Sequence, residues 1–170
     1  RATVETELAR TRAAAVRDSG AFVGWNREHI QVQDLVFRHQ TKAGLDIQGG
    51  HYITVTGCTF QHMYHGITSY GSHDTYTNCT FSDILATGAQ LIDDHSTFSG
   101  NQMDNIGMVP GAGETSWGYI GVRMIGPDNA VSDNRLNNIG YIGITIDNNT
   151  TVEHNVVQNC LMTLNDVGGI

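Results

Sequence analysis

One three-point pattern recurs six times along the chain and constrains what it can fold into more than any other feature. An apolar residue is followed three positions on by a second marker, and two further on by a third. The pattern reads Val32-Leu35-Phe37, Val55-Cys58-Phe60, Tyr76-Cys79-Phe81, Phe98-Asn101-Met103, Val131-Asn134-Leu136 and Val152-Asn155-Val157. The third members advance by 23, 21, 22, 33 and 21 residues. Each triplet leads to a glycine that opens a short alternating stretch: Gly44-Leu45-Asp46-Ile47, Gly66-Ile67-Thr68-Ser69, Gly88-Ala89-Gln90-Leu91, Gly121-Val122-Arg123-Met124 and Gly143-Ile144-Thr145-Ile146. A sixth starts at Gly169-Ile170, where the sequence stops. Period-two alternation sends successive side chains to opposite faces of a strand. A unit this short cannot bury its apolar side alone, so the repeats must stack and share a core.

The bends carry their own signature. Gly57, Asn78, Gly100 and Asp133 stand just before the second marker, and these are residue types that tolerate left-handed turns. Asn101, Asn134 and Asn155 then occupy the second marker in consecutive repeats. An inward Asn at a sharp bend can hydrogen-bond its neighbours' backbone, so this column reads as a stacking ladder. The 20 glycines against 2 prolines follow from the same plan. Glycine marks strand openings and bends, while ladders running along the rod need every N–H.

On these residues the chain resembles the right-handed parallel β-helix of the pectin-lyase-like superfamily, in particular its carbohydrate-active members. The resemblance covers residues 29–170 and implies an all-β solenoid of about six coils. At a strand spacing of about 4.8 Å that is a rod about 29 Å long. Residues 1–28 fall outside the repeat. Thr3 to Arg17 is rich in helix formers, and Asp18-Ser19-Gly20 reads as a stop. That segment is expected to be either a helical cap on the open end of the stack or a linker. The sequence ends in mid-pattern, which points to a piece of a longer rod with further coils in a parent chain.

Two repeats are longer than the others in the loop before the Gly-opened strand. One holds Met108 to Gly118, the other Leu161 to Asp166. Stacking places both on the same edge, and a regular scaffold that grows loops on one face usually does so for binding. The resemblance implies that this loop and the adjoining Gly-opened strand form a sugar-binding cleft. The outward strand positions are then candidates: Asp46, Gln48, Thr68, Tyr70, Gln90, Arg123, Thr145 and Asp147. His39, His62, His65, Glu114, Trp117, Tyr119 and Asp166 lie in the adjoining loops. Carboxylates for proton work and aromatics for stacking on sugar rings make up the inventory of a glycan site.

The catalytic expectation falls on Asp166, Asp147, Glu114 and Arg123, and the substrate-binding one on Asp46, His65, Tyr70, Gln90, Trp117, Tyr119 and Thr145. Asp166 lies in Asp166-Val167-Gly168-Gly169-Ile170, a stretch similar to one in secreted β-helix glycan enzymes, beside glycines that let backbone approach a ligand. A retaining hydrolase needs its second carboxylate about 5–5.5 Å away, an inverting one about 6.5–9.5 Å. Arg123 fits a lyase or epimerase instead, as the base at C5 or the cation that neutralises a uronate. The net charge of −8 tells against a polyanionic substrate unless Ca²⁺ bridges it. No other cofactor and no dedicated metal site is expected.

Other features have plainer readings. Asp93-Asp94 departs from the polygalacturonase pattern, because Ile92 stands where that family has Gly, and it reads as a solvated turn. His29, His51, His73 and His95 are each 22 residues apart and are expected to stack structurally down one turn. Cys58, Cys79 and Cys160 are an odd number with no zinc spacing, and the first two read as buried packing residues. The acidic balance argues against nucleic acid or an anionic membrane as the main partner, so neither is expected. No run of about 18 apolar residues exists to form a transmembrane helix. The whole reading is a secreted or cell-surface protein that acts on a polysaccharide or oligosaccharide, most simply a glycoside hydrolase. A lyase or epimerase, or a non-catalytic adhesin or glycan-binding segment, is the alternative.

Overall fold

The computed structural model describes residues 18–113 and 118–164. The helix expected over 3–17 lies outside them. The described chain winds into three parallel sheets, each contributing one short strand per coil. The first sheet contains β1 (Ser19–Val23), β4 (Ala43–His51), β7 (His65–Ser72), β10 (Ala89–Ile92), β13 (Val122–Ile125) and β16 (Ile144–Ile146). The second contains β2 (Gln31–Gln33), β5 (Thr54–Thr56), β8 (Thr75–Thr77), β11 (Thr97–Ser99), β14 (Ala130–Ser132) and β17 (Thr151–Glu153). The third contains β3 (Val36–Arg38), β6 (Thr59–Met63), β9 (Thr80–Ile84), β12 (Gln102–Ile106), β15 (Arg135–Ile139) and β18 (Val156–Gln158). Every strand pair is parallel, and each strand bonds to its equivalents one coil away. The expected six-coil solenoid is what forms.

The triplet markers define the interior. Phe37, Phe60 and Phe81 stand in register and their rings stack at 5.1 and 4.9 Å with interplanar angles of 6° and 14°. Met103, Leu136 and Val157 continue that column. Complete burial of one such side chain stabilises by about 1.5–3 kcal/mol. The Gly-opened strands owe their glycines to close approach. A Cβ on Gly66 would lie 2.4 Å from the Gly88 carbonyl oxygen and 2.6 Å from the Phe81 ring, and one on Gly44 2.5 Å from the Phe60 ring. The Phe column and the glycine column therefore specify each other.

Three corners per coil turn the chain, each through one residue in the left-handed region. The corner after the first sheet uses His29, Tyr52, His73, His95, Asp128 and Asn149. The next uses Asp34, Gly57, Asn78, Gly100, Asp133 and His154, and the third His39, His62, Asp83, Asn105, Asn138 and Asn159. Apart from two glycines and one tyrosine these are Asn, Asp and His, the non-glycine types enriched at positive φ.

Two expectations change here. The histidine column contains His29, Tyr52, His73 and His95, not His51. Ring centroids along it are 5.1, 4.9 and 4.9 Å apart. A register shift between Gln48 and His51 inserts one residue into β4, with Gly49 at φ +75. His51 is thereby moved onto the strand, where its Nδ1 meets Ser72 Oγ at 2.6 Å. The stack also begins earlier than residue 29. Strand β1 pairs with β4, and Gly20 occupies the glycine column, where its Cβ would lie 2.6 Å from the Gly44 oxygen.

Candidate functional site

The long loops leave from the third corner. Between Asn105 and Asn138 the chain advances 33 residues where the preceding step takes 22, and the eleven extra residues fall between Asn105 and Val122. The described part of this loop covers 107–113 and 118–121, and the described part of the second loop covers 160–164. Tyr119, Ile120 and Tyr141 form a small core apart from the main one, and Ile142, Leu161 and Leu164 pack against it. The backbone joins them as well. Tyr141 N–H donates to Tyr119 O at 2.9 Å, Leu161 N–H to Tyr141 O at 3.0 Å, and Thr163 Oγ1 to Gly107 O at 2.9 Å. The described parts of the two loops and the coil between them thus pack together, next to the starts of the Gly-opened strands of the first sheet.

The outward face of that sheet carries the candidate strand residues. Phe22, Asp46, Thr68, Gln90, Arg123 and Thr145 stand in register from coil to coil. The alternation had placed all of these but Phe22 on one face. Their accessibility differs sharply. Gln90, Arg123 and Thr145 are half-buried. Thr145 Oγ1 is shielded and has no hydrogen-bond partner among the described residues. Asp46 is only 2 % exposed. It accepts hydrogen bonds from Lys42 Nζ at 2.5 Å, Gln48 Nε2 at 2.6 Å and Thr68 Oγ1 at 3.0 Å. Burial alone pushes its carboxyl up, but these donors and the Lys42 charge outweigh burial and hold it below the usual value. Asp46 is thus a buried, satisfied anion rather than an open sugar contact.

His65 and Tyr119 are likewise buried. His65 Nδ1 accepts from the Thr87 backbone N–H at 3.3 Å, and Tyr119, at φ +66, is the centre of the loop core. Tyr70 is exposed, in register with Gln48. Asp147 is exposed just past β16, and its Oδ1 accepts from Asn148 N–H at 2.8 Å. His39 and His62 stack outside the third corner at 5.6 Å. Glu114, Trp117 and Asp166 lie outside the described residues.

Among the described residues no cluster of three or more His, Cys, Asp or Glu is placed to hold a metal ion. The acidic dipeptide is corrected. Asp94 is exposed as a solvated turn residue would be, but Asp93 is fully buried, with Asp74 beside it. Two surface features had no sequence signal. Trp25, 69 % exposed, lies on Gly49, whose Cβ would come 2.5 Å from the indole. On the third sheet, Thr80, Ser82, Gln102, Asp104, Arg135 and Asn137 line a depression of about 260 Å³.

The family model for the right-handed β-helix region matches residues 20–170. The chain belongs to the right-handed β-helix family. The match begins within β1, in agreement with the earlier start of the stack, and it fixes the hand of this β-helix. No curated protein and no solved structure matches the chain.

Proposed function

We propose that this β-helix is a secreted or cell-surface protein that cleaves a polysaccharide lying along the outward face of the first sheet, as a glycoside hydrolase. The observation that carries the reading is the convergence of both long loops on one edge of that sheet, over a shared core. A wall of that kind beside a polar column is the form of a groove for an extended ligand. Gln90 and Arg123 would hydrogen-bond sugar hydroxyls at the loop-bearing end, with Tyr70 offering a ring face further along. Asp147, Asp166 and Glu114 are the carboxylates for acid–base or nucleophilic work.

A second reading has its own support. Arg123 is in register with Thr145, and Asp147 follows two residues further on, just past the end of β16. A cation and a carboxylate so placed suit removal of a C5 proton from a uronate, with Ca²⁺ bridging the acidic partners.

The test is turnover of a panel of neutral and acidic glycans by the full-length protein. The hydrolase reading expects new reducing ends without ultraviolet-absorbing products, and a roughly 10²–10⁴-fold lower rate for Asp166→Asn or Asp147→Asn. Unsaturated products lost in Arg123→Ala would establish the lyase. Glycan retention with no turnover on any substrate would leave only the binding role and sink both enzymatic readings.

A further inference from the structure

Asp74 and Asp93 face one phenol inside the third and fourth coils. Both carboxylates are at most 1 % exposed and Tyr76 is fully buried. The space comes from Gly71, where a Cβ would lie 2.3 Å from Asp74 Oδ2. Tyr76 Oη is 2.7 Å from Asp93 Oδ2 and 3.4 Å from Asp74 Oδ2. The other oxygens are occupied: Asp93 Oδ1 accepts from Gly71 N–H at 2.7 Å, and Asp74 Oδ1 from Ile53 N–H at 2.8 Å. Ser69, fully buried, borders the same cluster.

Three oxygens in a row need two protons to make two attractive contacts, and the phenol has one. At 2.7 Å that proton goes to Asp93. Two lone pairs would then oppose each other between Tyr76 and Asp74, unless Asp74 carries a proton of its own. No ion pair among the described residues involves either carboxylate. The other titratable groups of this corner, Tyr52, His73, Asp94, His95 and Asp128, are exposed, and His51 is half-buried against Ser72. Among the described residues no cation balances the pair from inside, and an unpaired buried charge is costly.

We propose that Asp74, Tyr76 and Asp93 form a proton-sharing lock in the rod, with Asp74 as a neutral acid donating to Tyr76, Tyr76 donating to Asp93, and the lock opening when that acid ionises. Burial, and after it the Asp93 charge, pushes Asp74 up to about 7, and burial raises Asp93 as well. A carboxyl raised on folding binds more protons folded than unfolded in that window. Its contribution is complete below the ordinary carboxylate value and is lost as pH rises through about 7. The rod is thereby most secure in mild acid.

Asn replaces Asp74 with the right polarity, its Oδ1 accepting from Ile53 and its amide donating to Tyr76. The next coils show that the site accepts such groups, since Ser96 Oγ and Asn129 Oδ1 take the equivalent backbone N–H bonds at 2.9 and 2.8 Å. The experiment is thermal unfolding of the chain from about pH 5 to about pH 9, for wild type, Asp74→Asn and Asp93→Asn. The wild-type midpoint should fall by about 4 °C or more across neutrality. Asp74→Asn should remove most of that fall, and Asp93→Asn should shift its position to another pH. Isotope-edited infrared spectra of the wild type should show a protonated Asp carboxyl near pH 6 that Asp74→Asn lacks. A pH slope unchanged in Asp74→Asn would overturn the proposal. So would the absence of a protonated carboxyl in the wild type, however the variants behave.

Discussion

The first three coils and the last three turn the same corner with different chemistry. Ahead of the third sheet, coils one to three fill the inside of the bend with Leu35, Cys58 and Cys79, behind the Phe37-Phe60-Phe81 stack. Coils four to six fill it with Asn101, Asn134 and Asn155, behind the smaller Met103, Leu136 and Val157. Asn134 alone accepts from Asn101 N–H at 2.9 Å and donates to Phe98 O at 3.0 Å and Asn155 Oδ1 at 2.9 Å. Both halves keep the same left-handed residue just before the marker. The corner is therefore set by that backbone position, and its filling is free to be apolar or amide. The amide half is also the one that carries both long loops.

That contrast can be broken at several points. Phe81→Ala should cost most, about 3–5 kcal/mol in urea unfolding, because it opens a cavity in the middle of the ring stack. Asn134→Ala should follow at about 2–4 kcal/mol, since it strands several buried donors and acceptors at once. Hydrogen exchange should show coils four to six opening first in that variant, and a uniform loss along the rod would contradict the division into halves. Cys79→Asn should change stability by about 1 kcal/mol or less, because the marker geometry already suits an amide. A large loss there would mean that the aromatic half cannot accept the ladder. The smallest effect, within about 0.5 kcal/mol, belongs to His73→Asn, whose exposed ring only stacks outside the corner.

Sidedness and stacking were legible in the sequence, because period-two alternation and the triplet spacing report directly which residues face inward. What the pattern could not carry was coverage. Asp46 has the outward phase expected of a ligand contact, yet Lys42 and Gln48 close over it. Asp93 was read with Asp94 as a solvated turn, yet it turns inward to meet Tyr76 from the coil before. His51 kept the arithmetic period but lost its column to one bulged residue, which spacing alone cannot locate. Strand β1 did have a signal in Gly20-Ala21-Phe22-Val23, unread because no triplet precedes it. Of the candidate site, the register column was visible, whereas the small core around Tyr119 and Tyr141 depends on two loops meeting in space.

The corner columns have one more consequence. Eleven residues enter after Asn105, yet the next corners resume at Asp128, Asp133 and Asn138 in line with His95, Gly100 and Asn105. Each corner resets the frame, so added length is absorbed where it enters and never reaches the following coil. A rod of this kind behaves like a ruler with pegs. It can gain or lose material on one side during divergence, remodelling that side's surface while every strand stays at its own mark.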